Sequence, residues 1–133
     1  MSTVPSILLV EDDPHLAYLE RLALQRMGCR VTHAFDGEEA IALLREHQFD
    51  LVCLDLMLPR TFGLEVCEFL RAQPRGAMTP VLVTTSRTLP LDVAQAIEAG
   101  ASDFLTKPFH LKQLEERVRA LLKPVEQFAE SVP

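Results

Sequence analysis

Residues 50–59 read DLVCLDLMLP, and within them Leu51–Leu54 form a short apolar run that ends at Asp55. A run of this length and composition is typical of a buried β-strand. Similar runs recur along the chain, and stretches with helical spacing separate them. The four others are Ile7–Val10, Arg30–Ala34, Val81–Thr84 and Asp103–Thr106. Strands that alternate with helices predict βα units and a parallel sheet.

Apolar residues in the intervening segments are spaced three and four positions apart, as in amphipathic helices. The third helix is expected from about Leu64 to Gln73, and Pro74 stops it. Gly28 and Gly100 are expected to end the first and fourth helices. In the first, second, fourth and fifth helices, the residues predicted to face inward are, in that order, Leu16, Leu19, Ala23 and Met27; Ala40, Ile41 and Leu44; Val93, Ala94 and Ile97; and Leu111, Leu114, Val118, Leu121 and Leu122.

Five strands and five helices in 133 residues predict one α/β domain built on an open, doubly wound parallel sheet. The commonest five-stranded order for such a sheet is 2-1-3-4-5, the flavodoxin-like order, which we adopt by analogy. We expect the domain to occupy residues 1–123. Residues 124–133 are too few for a second domain, so they are expected to be a C-terminal tail or a truncated linker.

The composition excludes several classes of partner. Nineteen acidic against 13 basic residues give a net charge of −6, which argues against nucleic-acid or anionic-membrane surfaces. No segment approaches the roughly 18 apolar residues of a membrane span. Cys29, Cys53 and Cys67 are odd in number and form no CxxC pair, which predicts buried thiols in a reducing compartment. We therefore expect a cytoplasmic domain that contacts neither nucleic acid nor membrane directly.

Polar residues follow the predicted strands at their carboxyl ends. In an open α/β sheet, ligands bind beyond this edge, at the point where the strand order reverses. Strands 1, 3, 4 and 5 bring to it, in turn, Glu11, Asp12 and Asp13; Asp55; Thr84, Thr85 and Ser86; and Lys107. The edge therefore combines an acidic cluster, a further acid, hydroxyl groups and an ammonium group.

Such a cluster of acids calls for a cation. If Glu11, Asp12 and Asp55 lie close together, their repulsion costs several kcal/mol unless a proton or a metal ion intervenes. Carboxylates without a nearby histidine or cysteine favour Mg²⁺. A magnesium ion that faces a carboxylate, a hydroxyl and a lysine is suited to phosphoryl transfer, with one carboxylate as the nucleophile.

Four motifs together resemble the receiver domain of two-component response regulators. They are ILLVEDDP at 7–14, DLVCLDLMLP at 50–59, PVLVTTSR at 80–87 and GASDFLTKPF at 100–109. The resemblance covers the chain from Ile7 to about Leu122. It implies a phosphorylation-dependent signalling switch and not an enzyme that acts on a separate substrate. The resemblance also implies that the switch receives its phosphoryl group from a histidine kinase, a phosphotransfer protein or a small acyl phosphate.

By position, the resemblance assigns the metal site and the phosphoacceptor. Asp55 corresponds to the phosphoacceptor aspartate, Asp12 to a direct Mg²⁺ ligand, and Glu11 to a ligand that acts through water. Met57 corresponds to the residue whose backbone carbonyl binds the metal. Mn²⁺ is an alternative ion at such a site.

The resemblance also assigns a switch. Thr85 corresponds to the hydroxyl that moves toward the phosphoryl group, Phe104 to the aromatic residue that turns inward with it, and Lys107 to the ammonium that pairs with the phosphoryl oxygens. A cis peptide bond is implied between Lys107 and Pro108. Met57 and Arg87 hold the positions that tune dephosphorylation.

The output surface implied by the resemblance is formed by the fourth helix, the fifth strand and the fifth helix. The fourth helix has few of the charges that family members use for dimer salt bridges, and only Asp103 and Arg117 remain of that network. We therefore expect at most a weak homodimer. An apolar surface for a downstream protein or effector domain is the favoured hypothesis.

Simpler interpretations of individual residues remain open. Asp13 and Pro14 suit a helix N-terminus, where an acid complements the dipole. Thr84 and Thr85 have strand propensity, Phe104 suits a core, and Lys107 suits a surface. The histidines His15, His33, His47 and His110 lack metal-site spacing and are expected at the surface or at helix ends.

Three other classes of protein compete with this interpretation. An aspartate-based phosphatase of the haloacid dehalogenase type would need a DxDxT motif after the first strand, where this chain has EDDP. A flavin-binding module would need a phosphate-binding loop there, and the acids would repel that group. A pseudo-receiver, which is not phosphorylated, typically loses one of the key acids or the lysine, and this chain retains all of them.

Overall fold

The computed structural model describes residues 4–58, 63–86 and 88–131, and the side chains of these residues as far as position 122. The strands are β1 (Ser6–Val10), β2 (Arg30–Ala34), β3 (Leu51–Asp55), β4 (Val81–Thr85) and β5 (Asp103–Thr106). The helices are α1 (Pro14–Arg26), α2 (Gly37–Glu46), α3 (Gly63–Ala72), α4 (Pro90–Ala99) and α5 (Leu111–Ser131). A short 3₁₀ turn at Pro74–Gly76 follows α3.

The five strands form one parallel sheet in the order β2-β1-β3-β4-β5, which confirms the predicted topology. Every residue of β3 and β4 is buried. The residues of β2, at one edge, are mostly half-buried. The apolar run that begins at Leu51 is therefore a central strand, and its last residue is Asp55.

Alternation along the strands divides the core into two layers. Leu8, Val10, Val52 and Leu54 face the layer formed with α2, α3 and α4. Their neighbours Ile7, Leu9, Leu51 and Cys53 face the opposite layer, with residues of α1 and α5. Successive side chains of a strand point to opposite faces, so the sequence positions in each strand decide which layer a residue joins.

Helix termini have the expected caps. The Asp13 carboxylate accepts hydrogen bonds from the backbone N–H groups of His15 and Leu16, and Pro14 occupies the first turn of α1. The interpretation of Asp13 as a helix-terminal acid is thereby confirmed. At the carboxyl end of α4, the capping residue Gly100 adopts φ 113°, a left-handed conformation that glycine tolerates best.

The predicted inward face is correct in part for α1, where Ala23 is buried and Met27 packs against the core, and it is wrong for α4. In α1 the buried residues are Ala17, Glu20, Ala23 and Leu24, whereas Leu19 is 46% exposed. In α4 only Ala96 is buried, and Ile97 is 62% exposed. Both helices carry more apolar residues than one stripe can hold. The short connection from the preceding strand sets how each helix is rotated, so counting apolar positions does not identify the contact face.

Two further predictions concern the chain as a whole. Cys29, Cys53 and Cys67 are all buried and none of them forms a disulfide bond, which confirms the prediction of buried thiols. The backbone of α5 continues to Ser131, past the domain boundary predicted at residue 123. Among the described residues, no helix is both long and apolar enough to span a membrane.

Candidate functional site

An acidic pocket lies at the carboxyl edge of the sheet, where β1, β3 and β5 end. Glu11, Asp55 and Lys107 each lie an even number of positions from a strand residue of the α1 and α5 layer, namely Leu9, Cys53 and Leu105. Strand alternation therefore turns all three toward the same layer. They are separated in sequence by as many as 96 residues, and only the parallel topology brings them together.

Lys107 links the two buried acids. Its Nζ donates to Glu11 Oε1 at 2.7 Å and to Asp55 Oδ2 at 3.1 Å. The side chains of Glu11 and Asp55 are 1% and 6% exposed, and that of Lys107 is 19% exposed. Both pairs are thus shielded from water, where charge-assisted hydrogen bonds are stronger than at a surface.

Backbone N–H groups fix the second oxygen of each carboxylate. The N–H of Asp13 donates to Glu11 Oε2 at 3.1 Å, and the N–H of Met57 donates to Asp55 Oδ1 at 3.0 Å. Each acid therefore presents one oxygen to Lys107 and the other to its own following turn. This arrangement fixes the orientation of both carboxylates.

Gly63 allows α3 to begin directly behind Asp55. Its N–H donates to the Leu56 carbonyl at 3.0 Å. A Cβ at this position would lie 2.6 Å from both the Asp55 carbonyl oxygen and the Leu56 Cα. Because backbone atoms cannot move aside as a flexible side chain can, the close approach at the end of β3 requires glycine.

The electrostatics of the pocket favour an additional cation. Burial raises the pKa of Glu11, against the opposing hydrogen bonds from Lys107 and from the Asp13 backbone. Burial by itself lowers the pKa of Lys107, but the hydrogen bond to Glu11 and the charges of Asp55 and Glu11 outweigh it, and the pKa is raised. Lys107 is therefore charged at neutral pH, and one ammonium faces several acids.

The acids are spaced for a metal ion. Carboxylate oxygens of Glu11, Asp12 and Asp55 all lie within 4.8 Å of one another. Two of these side chains are buried, and Asp12 is exposed, so the cluster is anchored in the domain and open to solvent on one side. Hard oxygen donors that leave room for water match the coordination preference of Mg²⁺. The residues present thus fit the ion that the sequence predicts.

The predicted switch residues lie in the opposite layer. Thr85 is fully buried at the end of β4, and Phe104 on β5 packs against the core cluster of α2, α3 and α4. Phe104 is opposite Val83 in the register of β4 and β5, two positions before Thr85. Both residues therefore face the layer that contains α4.

The remaining predicted site positions are placed as follows. The peptide bond between Lys107 and Pro108 is cis, as the resemblance implied. Met57 follows Asp55 at the rim of the pocket, and its side chain is 44% exposed. Thr84 pairs in register with Asp55 and is buried. Arg87, predicted to tune dephosphorylation, lies outside the described residues.

Sequence reasoning missed Glu20, a buried carboxyl below the pocket. Glu20 is 0% exposed, and neither of its carboxylate oxygens has a hydrogen-bond partner among the described residues. Burial, followed by the negative charge of Glu11, raises its pKa to about 8. Its helical spacing from Ala17 and Leu24 was the available signal, but a glutamate is ordinarily assigned to the solvent face.

His33 was expected at the surface or at a helix end, but it lies within β2 and is half-buried. Its Nε2 donates to the backbone carbonyl of Glu11 at 2.7 Å. No spacing pattern in the sequence indicates this contact, because it depends on the register of β2 against β1.

The fold and the pocket define a class of protein: an α/β domain with an acidic cluster suited to a cation at the switch point of a 2-1-3-4-5 sheet. Residues 7–119 match the family model described as the response regulator receiver domain. The chain belongs to this family, the receiver domains of two-component response regulators. Members of the family bind Mg²⁺ in the acidic pocket.

Known relatives agree with this assignment. The chain is 40% identical over 128 residues to the DNA-binding dual master transcriptional regulator RpaA of Synechocystis, covering 96% of this chain and 53% of RpaA. It thus spans about half the length of the curated relatives that it matches.

Solved structures show the same fold. The chemotaxis response regulator CheY4 of Vibrio cholerae superposes with a TM-score of 0.86 and 30% identity, covering 90% of this chain and all of that one. The receiver domain of the sensor histidine kinase PA1611 from Pseudomonas aeruginosa superposes with a TM-score of 0.83 and 30% identity, covering 91% of this chain and 99% of that one. The latter structure holds a magnesium ion in its active-site cleft.

Proposed function

We propose that this receiver domain is a phosphorylation-dependent switch whose phosphoacceptor is Asp55. The observation that carries the proposal is the position of Asp55. Its carboxylate ends the central strand, lies within 4.8 Å of the acids Glu11 and Asp12, and pairs with Lys107 at 3.1 Å. A nucleophile beside both a cation site and an ammonium is equipped to accept a phosphoryl group.

The proposed step is an in-line displacement. An oxygen of the Asp55 carboxylate attacks the phosphorus of a phosphohistidine or of an acyl phosphate. The new O–P bond forms as the bond to the leaving imidazole or carboxylate breaks, and the leaving group departs with the bonding electron pair. Asp55 thereby becomes an acyl phosphate. The domain assists this transfer and the later hydrolysis without acting on any other substrate.

Particular residues would support the step. Glu11, Asp12, Asp55 and the Met57 backbone carbonyl would hold Mg²⁺, with Mn²⁺ as an alternative. The bound ion would neutralise charge on the transferring phosphoryl oxygens. Lys107 already donates to Asp55 and would donate in the same way to the phosphoryl group.

The switch would operate through the opposite layer of the sheet. In this proposal the Thr85 hydroxyl moves toward the phosphoryl group, and Phe104 turns inward into the space that Thr85 leaves. Contacts to the phosphoryl group in the active state supply the bias between the two states. Met57 and Arg87 would tune how fast water removes the group.

The output would be read on the surface formed by α4, β5 and α5. Leu89, Leu91 and Ile97 are 70%, 68% and 62% exposed on or beside α4, which favours an apolar protein partner or effector domain.

Arg117 and Asp103 pair within the chain at 3.1 Å, so little of a charged dimer interface is left and any homodimer is weak. We assign the exchange with the kinase to the cytoplasm, because three buried cysteines that form no disulfide bond suit a reducing compartment.

Phosphoryl labelling tests the proposal. Incubation with acetyl phosphate and Mg²⁺ is expected to add the mass of one phosphoryl group to the intact protein, and chelation of the metal is expected to prevent it. Asp55→Asn should abolish labelling, because an amide oxygen is a much weaker nucleophile. Intact-mass spectrometry measures both outcomes.

Asp50 provides a matched control. It directly precedes β3, at the end of the strand away from Asp55, and its carboxylate accepts a hydrogen bond from the Ser6 backbone N–H at 2.8 Å. Asp50→Asn should label as the wild type does. An unlabelled wild-type protein, or equal labelling of Asp55→Asn, would contradict the proposal.

A further inference from the structure

The carbonyl group of Glu11 is bound by a side chain at the point where the β1–β2 ladder ends. The register runs from Ser6 opposite Arg30 to Val10 opposite Ala34, and the Glu11 N–H extends it by donating to the Ala34 carbonyl at 3.1 Å. Beyond Ala34 the chain turns into α2, and the Phe35 N–H donates to Glu39 Oε1 at 2.7 Å.

His33 takes the place of a backbone donor. Its Nε2 lies 2.7 Å from the Glu11 carbonyl oxygen. A carbonyl can only accept, so Nε2 carries the hydrogen in this contact. The His33 ring is half-buried and packs against Phe35 with a centroid separation of 4.1 Å, which fixes its orientation.

We infer that His33 is a positioning residue for the metal-binding loop that follows β1. The N–H and the carbonyl of Glu11 are both held by β2, from Ala34 and His33 respectively. Glu11 and its neighbour Asp12 supply two of the three clustered carboxylates. Hydrogen bonds behind a ligating residue orient it and strengthen metal binding. This inference rests on the proposed function, because it assigns His33 a role in forming the same metal site.

The test is Mg²⁺ affinity, measured on the unphosphorylated protein by isothermal titration calorimetry. His33→Ala is expected to weaken binding about fivefold, the effect of losing one ordinary hydrogen bond that orients the loop. His33→Gln is expected to stay within about twofold of the wild type, because its amide nitrogen replaces Nε2 at a similar distance from the backbone. Unfolding in urea shows whether both variants fold.

His47 gives a matched control. It pairs with Phe49 at the same two-residue spacing, with centroids 6.3 Å apart, beside the amino end of β3. His47→Ala removes a similar ring contact without touching the Glu11 carbonyl, so its Mg²⁺ affinity should equal that of the wild type. Nitrogen NMR of the His33 ring should show the hydrogen on Nε2.

The outcomes separate the two proposals. Wild-type protein that binds no Mg²⁺ overturns both the metal site and the role of His33. Normal binding and labelling of the wild type, together with unchanged affinity in a folded His33→Ala variant, overturns the role of His33 alone. A His33→Gln variant as weak as His33→Ala also overturns it, because the donor would then be irrelevant.

Discussion

Two buried glutamates lie in adjacent regions of the α1 and α5 layer, and they differ in their partners. Glu11, in the acidic pocket, is 1% exposed, and its oxygens accept from Lys107 and from the Asp13 backbone. Glu20, in the core below, is 0% exposed, and its oxygens have no partner among the described residues. Burial raises the pKa of both carboxyls.

The partners of each carboxyl decide what its burial does for the domain. A buried carboxylate that accepts from a cation and from an N–H donor is held in one orientation and can bind a metal. These contacts offset the free-energy cost of burying its charge. A buried carboxyl with no partner costs stability, and the described structure gives it no compensating contact. Removing the cation from the pocket and removing the carboxyl from the core should therefore have opposite effects on stability.

The largest effect is expected from Lys107→Met. The change leaves Glu11 and Asp55 buried together without their shared cation, and it should lower the free energy of unfolding by about 4 kcal/mol in the absence of Mg²⁺. Urea denaturation at neutral pH measures this loss. Added Mg²⁺ should restore part of it, because the ion replaces the missing positive charge.

Lys112, an exposed lysine on α5, is the control for this variant. Lys112→Met should change the free energy of unfolding by less than about 0.5 kcal/mol. Equal stabilities of the two variants would show that the pocket acids do not depend on Lys107.

The strands and the topology could be predicted because the sequence itself carries the relevant physical signal. The central strands are uniformly apolar, and the observed strand bounds differ from the predicted ones by at most one residue. Asp55 and Lys107 could be predicted as neighbours because all carboxyl ends of a parallel sheet meet at one edge. Their exact partners depend on strand register and turn geometry.

Glu20 and His33 were missed because their positions depend on how secondary-structure elements are placed relative to one another. The inward face of α1 depends on how the connection after β1 rotates the helix, and several apolar residues, Leu19 among them, suggested a neighbouring face. The contact between His33 and the Glu11 carbonyl depends on where β2 ends relative to β1. Neither quantity is encoded in a local pattern.

A smaller, opposite effect is expected from Glu20→Leu. Leucine fills the site with apolar atoms and removes two oxygens that have no hydrogen-bond partner among the described residues, so the free energy of unfolding at neutral pH should rise by about 3 kcal/mol. Urea denaturation measures the gain. The control is Glu116→Leu on the exposed side of α5, which should give no comparable gain. A destabilised Glu20→Leu variant would indicate that Glu20 has a stabilising partner after all.

The smallest effect, taken per pH unit, is a slope of stability with pH. The Glu20 carboxyl has its pKa raised from 4.5 to about 8 in the folded protein. Below pH 4.5 both folded and unfolded chains hold this proton. Between pH 4.5 and 8 only the folded chain holds the Glu20 proton, so a rise in pH favours the unfolded state over the folded state. The free energy of unfolding should therefore fall by about 1 kcal/mol per pH unit across this window and level off above it.

Glu20→Gln isolates the source of that slope, because an amide does not titrate. The variant should retain a weaker slope of the same sign, since burial also raises the pKa of Glu11. The raised pKa of Lys107 acts only above its usual range, at higher pH than this window, and does not contribute. Urea titrations of the wild type and Glu20→Gln, without Mg²⁺ and at constant ionic strength, measure both slopes. An unchanged slope in Glu20→Gln would locate the linked proton elsewhere and remove the contrast between the two glutamates.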